Sequence, residues 1–129
     1  MLPLCETEGI GVIPWSPLAR GRLARPWGDP GGGRAARDEY GETLYRGMEE
    51  ADHAVVDRLG EIAQAKGAPQ AQVALAWMLH KSAVTAPIIG ASKPHHLDDA
   101  VAALSLKLSP NEMAALEAPY VPHPVLGFS

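Results

Sequence analysis

The sequence predicts an α/β domain, because two short apolar runs alternate with longer segments that have helical periodicity. The runs, at residues 11–15 and 86–91, are bounded by glycine or proline, as is typical of strands buried in a parallel sheet. The longer segments carry apolar residues at intervals of three and four. The predicted order is a strand, a long loop, two helices, a second strand, two further helices and an extended arm.

The first predicted strand, Gly11–Trp15, ends before Ser16 and Pro17. Pro14 argues against a strand at this position, because proline has no N–H group to donate to a sheet ladder. The run is nevertheless apolar, so we expect a strand. It is followed by a long loop at residues 25–50, with a possible helical turn near Leu44 and Tyr45. Loops of this length in compact domains tend to be lids or binding loops.

The first two helices follow that loop. Residues 52–66 place apolar side chains on one helical face, with Asp52 as a possible N-cap and Gly67 as the stop. The next helix begins near Pro69, which is acceptable in a first turn, and ends near Lys81, whose charge suits the helix dipole. We therefore expect two consecutive helices before the second strand.

The second predicted strand, Ala86–Ala91, leads through a short turn into a helix with apolar residues at i, i+4 and i+7, namely Leu97, Val101 and Leu104. The last helix begins at Ser109, which has the spacing of a capping box with Glu112. The prolines of residues 119–124 exclude helix, so the chain is expected to close with an extended arm.

Composition bounds the function. A net charge of −4 and a pI near 5.7 disfavour nucleic-acid binding, which needs a basic surface. Cys5 is the single cysteine, so no intrachain disulfide can form and a reducing compartment is favoured. No segment has the roughly 20 apolar residues of a membrane span. We expect a single cytoplasmic domain without nucleic-acid or membrane partners.

The turn at residues 90–94 is a candidate anion site. It joins two small residues and Lys93 to the start of a helix, where backbone N–H groups and the helix dipole favour a phosphate. An ordinary turn between strand and helix remains the alternative. Several arginines in the first loop could add phosphate contacts or form a solvated surface: Arg20, Arg22, Arg25, Arg34 and Arg37.

Other chemistry has weaker support. His95 and His96 precede two aspartates, but neighbouring side chains on a helix diverge by about 100° and do not readily share one metal site, so we expect no metal. No serine, cysteine or tyrosine lies in a context that specifies an activating neighbour. The residue pattern alone therefore leads no further than phosphate binding.

Three stretches in this order resemble the aldo-keto reductase family: Gly11–Gly21, Gln72–Trp77 and Pro87–Lys93. The resemblance extends over essentially all 129 residues and includes the arm Tyr120–Phe128. It implies that residues 1–129 are the C-terminal part of a (β/α)₈ TIM barrel, comprising about the last two βα units, the C-terminal helix and the arm.

The resemblance also implies an NADP(H) site. Trp15 would stack on the nicotinamide ring, and a group of loop residues would follow the pyrophosphate: Ser16, Pro17, Leu18, Arg20 and Gly21. Gly90, Ser92 and Lys93 would hold the 2′-phosphate region, and the preference for NADP(H) over NAD(H) rests mainly on Lys93.

The remaining implied contacts depart further from the family pattern. His96 stands where the family often has arginine. Asp99 would approach the adenine, but it is shorter than the common glutamate, and Ala100 replaces a frequent asparagine. Tyr120 and His123, in the arm, are the candidate substrate contacts.

The family's catalytic Asp, Tyr, Lys and His come from early strands, upstream of the matched region, so we expect no catalytic residue in this chain. Met1 falls where family members have mid-chain sequence, which suggests an internal start or an incomplete gene model. Two strands cannot close an eight-stranded barrel, so we expect poor solubility unless an N-terminal half or self-association covers the open edges.

The leading hypothesis is the cofactor-binding part of an NADPH-dependent reductase, which acts on a small carbonyl substrate once the missing half is supplied. The alternatives are a non-catalytic nucleotide-binding or interaction module and a truncated product without a function of its own.

Overall fold

The computed structural model describes residues 1–29, 45 and 47–123. The helical elements of this part of the chain are α1 (Leu2–Thr7), a 3₁₀ helix (Ala19–Ala24), α2 (Glu49–Lys66), α3 (Gln70–Leu79), α4 (Pro94–Ala102) and α5 (Pro110–Glu117). The 3₁₀ helix is kinked, because Arg20 and Gly21 have non-helical backbone angles. The four longer helices confirm the segments predicted from periodicity. The sequence analysis did not identify α1 or the 3₁₀ helix.

The longest helix, α2, begins at Glu49 and ends where Gly67 adopts a left-handed φ of 62°. The buried residues of α2 are Val56, Leu59, Ile62 and Ala63. The predicted N-cap role of Asp52 is wrong, because Met48 occupies the N-cap position and Asp52 lies inside the first turn. The carboxylate of Asp52 instead contacts other segments of the chain.

The core is built around α3, which packs against α2, α4 and the 3₁₀ helix. Because neighbouring segments cover several sides of α3, four consecutive residues of this helix are buried: Val73, Ala74, Leu75 and Ala76. Leu59, Leu108 and Leu116 complete the same cluster from α2, from the segment before α5 and from α5. Burying each such leucine contributes about 1.5–3 kcal/mol, so this cluster is the main source of stability.

The capping box predicted for α5 is confirmed. The hydroxyl of Ser109 accepts a hydrogen bond from the Glu112 backbone N–H (3.3 Å), and the Ser109 N–H donates to the Glu112 carboxylate (2.7 Å). Lys66, at the end of α2, pairs with the same carboxylate at 2.9 Å. The start of α5 is thereby joined to the end of α2.

The two predicted strands are wrong as regular strands. In the described residues, the segment 11–15 makes only two isolated parallel bridges with residues 84–88, Val12 with Val84 and Trp15 with Ile88, and Val84 lies before the predicted second strand. The proline in each segment, Pro14 or Pro87, lacks the N–H group that a continuous ladder requires. Two paired segments without further strands also form a marginal ladder in water.

A threonine side chain contributes to this pairing. The backbone N–H of Val12 donates to the hydroxyl of Thr85 (3.1 Å), and the N–H of Thr85 donates to the Val12 carbonyl (2.8 Å). Residue 11 must be small here, because a Cβ on Gly11 would lie 2.9 Å from the same hydroxyl oxygen. A second main-chain bond, from Ile88 to Pro14 (2.8 Å), follows along the pair.

The paired segments leave a large apolar surface open to solvent. Trp15 is 67% exposed, Ile13 is 61% exposed, and the outward side of α4 is similar, with Leu104, just beyond its end, 64% exposed. We call these exposed apolar side chains together the open face, namely Ile13, Trp15, Ile88, Leu97, Val101 and Leu104.

Some predictions concern residues that the structure does not describe. Most of the long loop, at residues 30–44 and 46, and the end of the arm, at residues 124–129, lie outside the described residues. The described part of the arm, 121–123, has no helix, as predicted. Among the residues described, no helix has the length and apolar character needed to cross a membrane.

Candidate functional site

The parallel bridge between Trp15 and Ile88 brings the two predicted cofactor segments together. Because the segments run in the same direction, their carboxyl ends reach the same edge. The loop Ser16–Gly21 leaves one segment at this edge, and the turn Gly90–Lys93 leaves the other. The candidate site is therefore made of the two loops that follow the bridge.

Backbone strain is concentrated in the first of these loops. Ser16, Ala19 and Arg20 have positive φ values of 56°, 47° and 57°, a region that non-glycine residues seldom adopt. The loop is held in this shape by its own hydrogen bonds, from Ala19 to the Ser16 carbonyl (3.0 Å) and from Gly21 to the Leu18 carbonyl (2.8 Å). Strain held in this way is typical of binding and catalytic loops.

The same loop is anchored to the protein interior. Pro17 is buried, and Leu18 packs against the core cluster. Trp15, in contrast, has a mostly exposed ring at the edge of the pair. The first loop therefore combines a fixed backbone with an aromatic surface that is open to a planar ligand.

The second loop presents a positive charge at a helix start. Gly90, Ser92 and Lys93 are exposed, and Lys93 is the N-cap of α4 without a side-chain capping bond. Lys93 forms no ion pair among the residues that the structure describes. His96 lies one turn further, with its Nδ1 3.5 Å from the Ser92 hydroxyl oxygen. The ammonium group and the helix N-terminus together favour an anion.

Asp99 already has a protein partner. Its Oδ1 accepts a hydrogen bond from the side-chain amide of Gln72 (2.9 Å), which joins α4 to α3. This contact orients the carboxylate, and the adenine contact expected of Asp99 stays a prediction.

The two arm residues lie against another part of the molecule. Tyr120 stacks on the His123 ring with centroids 5.9 Å apart, and His123 Nε2 lies 2.9 Å from Asp52 Oδ1. Arg22 approaches the other oxygen of Asp52 at 3.9 Å. The arm is thus joined through Asp52 to the segment that follows the first loop.

Sequence reasoning missed this role of Asp52. His123 is 71 residues away along the chain, so no local spacing could reveal the contact. The available signal was an aspartate followed much later by a histidine in a proline-rich arm, and that pattern specifies no partner.

A cavity of about 470 Å³ lies elsewhere, between α2 and the segment that precedes α3. Its walls include Val56, Gly60, Ala63, Ala68 and Gln70, and none of the predicted site residues lines it. Within the described residues, no group of three or more His, Cys, Asp or Glu side chains could hold a metal ion.

Comparison with known proteins matches residues 1–120 to the model of the aldo/keto reductase family. Versiconal hemiacetal acetate reductase of Aspergillus parasiticus is 46% identical over 124 residues, which cover 95% of this chain and 36% of that protein. A putative aryl-alcohol dehydrogenase of Schizosaccharomyces pombe is 41% identical over 128 residues, or 98% of this chain and 35% of that protein.

Among solved structures, a thermostable aldo-keto reductase in complex with the inhibitor epalrestat superposes with a TM-score of 0.63 at 28% identity, over 92% of this chain and 33% of that one. The chain thus spans about a third of the length of the relatives it matches. The match to the family model covers most of the sequence and agrees with the likeness in fold. The chain therefore belongs to the aldo/keto reductase family.

Proposed function

We propose that this chain supplies the cofactor-binding part of an NADP(H)-dependent oxidoreductase that reduces an aldehyde or ketone to an alcohol. The observation that carries the proposal is the parallel bridge between Trp15 and Ile88, which puts the strained loop and the Lys93 turn side by side. Membership of an oxidoreductase family supports the same reaction class.

The chemistry of the two loops fits a dinucleotide phosphate. Trp15 has an exposed ring for stacking against a flat heterocycle. The backbone of Ser16–Gly21 is held in place for a pyrophosphate to pass along it. Lys93, exposed at the start of α4, would attract the 2′-phosphate that distinguishes NADP(H) from NAD(H).

When bound, the nicotinamide cofactor supplies the hydride, and the protein supplies binding and orientation. In this proposal Trp15 sets the face of the ring that is presented to the substrate, and Tyr120 and His123 line the substrate side. We assign no residue of this chain to protonate the carbonyl oxygen. Turnover therefore requires a polypeptide that carries the family's catalytic Asp, Tyr, Lys and His.

The proposal is tested by fluorescence titration of the purified chain with NADPH and NADH, after gel filtration and circular dichroism establish that it is folded. Lys93→Glu should weaken NADPH binding about tenfold or more, because it puts a carboxylate where the 2′-phosphate would lie, and should change NADH binding much less. Lys107→Glu makes the same charge change at an exposed position outside both loops and is the matched control.

Three outcomes separate the hypotheses. Equal weakening of NADPH and NADH by Lys93→Glu would remove the 2′-phosphate assignment. Binding without turnover, even with a polypeptide that carries the catalytic residues, would favour a non-catalytic nucleotide-binding module. A folded chain that binds neither nucleotide would contradict the proposal and favour a product without independent function.

A further inference from the structure

Asp52 joins two segments that lie far apart in the sequence. It stands in the first turn of α2, between the segment after the strained loop and the C-terminal arm. Its Oδ1 is 2.9 Å from His123 Nε2, and its Oδ2 is 3.9 Å from Arg22 Nη1. We call these residues, together with Tyr120, the clasp.

The carboxylate of Asp52 is well shielded from water. Its side chain is 18% exposed, and Oδ2 is buried without a hydrogen-bond partner among the residues that the structure describes. A shielded carboxylate is costly unless its partners stay in place, and at 3.9 Å the Arg22 guanidinium gives charge compensation without a hydrogen bond. Asp52 therefore favours conformations in which both Arg22 and His123 remain close.

Aromatic rings hold each partner in position. The Arg22 guanidinium lies over the Tyr45 ring at 4.6 Å and over the Trp27 ring at 5.8 Å. On the other side, Tyr120 stacks on His123. Because Oδ1 accepts the hydrogen bond, the Nε2 atom of His123 carries the proton in this contact. Both ends of the clasp are thus oriented before any ligand arrives.

The Arg22 end of the clasp is continuous with the candidate cofactor loop. Arg22 directly follows Gly21 within the 3₁₀ helix, and the Gly21 and Leu23 amides both donate to the Leu18 carbonyl. A shift of Arg22 would therefore disturb the hydrogen bonds that hold the strained backbone. The His123 end belongs to the arm that carries the predicted substrate contacts.

We propose that Asp52 is a positioning residue that couples the cofactor loop Ser16–Leu23 to the arm Tyr120–His123. Ordering of one segment stabilises the other through the shared carboxylate, so cofactor and substrate elements are set together. This inference rests on the proposed function for the identity of the ligand, but the coupling between the segments exists in the free chain. Coupling of this kind is reciprocal, so it can be measured from either end.

The test is amide hydrogen exchange by NMR on the full 129-residue chain without ligand. His123→Ala should speed exchange of the Gly21 and Leu23 amides about tenfold, although His123 makes no described contact with that loop. Asp52→Ala should give the same effect, and adding His123→Ala to it should change the loop amides no further. Asp52→Asn keeps an oxygen for His123 but removes the charge near Arg22, so it should loosen the loop more than the arm.

Glu61→Gln is the matched control, because it removes a carboxylate and an exposed ion pair with Arg58 from the same helix without touching either segment. It should leave the loop amides unchanged. The proposal is overturned if His123→Ala speeds exchange only in the arm, or if the effects of His123→Ala and Asp52→Ala add. If Asp52→Ala fails to fold by circular dichroism, the comparison of His123→Ala with Glu61→Gln decides alone.

A second part of the experiment adds NADPH. In the unaltered chain NADPH should slow exchange at the Tyr120 amide, which donates to the Glu117 carbonyl, and in Asp52→Ala that protection should be lost. If NADPH protects no residue, including Trp15–Gly21, the proposed function fails while the free-chain result still decides the coupling. If NADPH protects the loop and the arm equally in both proteins, the coupling through Asp52 is refuted.

Discussion

The helical core and the open face are both made of apolar side chains but differ in burial. In the core, Val73 has no exposed surface, and its neighbours on α2 and α5 are almost as well covered. On the open face, Trp15 and Leu104 each leave about two thirds of their surface in solvent. The helices α2, α3 and α5 bury apolar residues within the described chain, whereas α4 and the paired segments leave theirs largely exposed.

The residues that build the core are thus largely different from those of the candidate site, although Leu18 contributes to both. The helix α2 packs against α3 and α5, and all three contribute to one buried core cluster. The candidate cofactor loops instead start from the paired segments, whose outward residues lack cover in the described chain. Substitutions in the two regions should therefore give different readouts.

The largest effect is expected in the core. Leu59→Ala should lower the free energy of unfolding by about 2–5 kcal/mol, because Leu59 is 3% exposed and its removal leaves a cavity. Leu104→Ala deletes the same atoms on the open face and should change the free energy of unfolding by only about 0.5 kcal/mol. Urea unfolding followed by circular dichroism measures both. Similar losses in the two variants would erase the distinction between core and open face.

A smaller effect is expected at the start of α5. Ser109→Ala removes the hydroxyl that caps the Glu112 N–H and should cost about 1 kcal/mol of unfolding free energy. Ser105→Ala, in the exposed turn after α4, is the control and should be close to neutral. An equal cost for both serines in the same unfolding assay would mean that the capping box adds nothing to stability.

The smallest effect is a pH dependence at the same cap. The pKa of Glu112 is lowered, first by the Ser109 backbone N–H that donates to its carboxylate and then by Lys66. A carboxylate with a lowered pKa in the folded state stabilises the protein above its ordinary pKa, and this contribution is lost as the pH falls through the lowered value. The stability difference between the unaltered chain and Glu112→Gln should therefore shrink from about pH 7 to about pH 3. A difference that stays constant across this range would contradict the assignment.

Much of the helical fold could be predicted from local pattern. The apolar spacing of α2, the stop at Gly67 and the capping box of Ser109 with Glu112 depend on residues within a few turns of one another. The predicted start of α2, at Asp52, lies three residues after the observed start at Glu49. An aspartate resembles an N-cap in the sequence even when, as here, its carboxylate contacts another segment of the chain.

The two predicted strands are the main point at which the sequence-based prediction is wrong. Apolar runs at 11–15 and 86–91 favour buried strands, but a pair of segments without further strands is marginally stable, and Pro14 and Pro87 remove donors from the only pair present in the described chain. Pro14 argues against the first strand from the sequence alone, because it removes a donor that the apolar run does not replace. Pairing between distant segments is a tertiary property that a local run cannot specify.

The candidate site likewise has some features that the local sequence predicts and others that depend on the fold. The turn before α4 could be predicted as a candidate anion site from its small residues and Lys93, because the helix start is local, and this site stays a prediction. The positive φ values at Ser16 and Arg20 could not, since neither residue type predicts them. The contact of Asp52 with His123 also required the fold, because it depends on how the arm crosses α2.

The hydroxyl of Thr85 has a consequence for how this chain can be engineered. It accepts the Val12 N–H where a main-chain carbonyl would serve in a regular ladder, so the alignment of the two segments depends on the identity of one side chain. Thr85→Val keeps the shape and removes the acceptor, and Gly11→Ala displaces it by steric contact. Thr85→Val and Gly11→Ala are therefore two single substitutions that test how the alignment of the candidate cofactor loops depends on this junction, at residues outside the buried helical core.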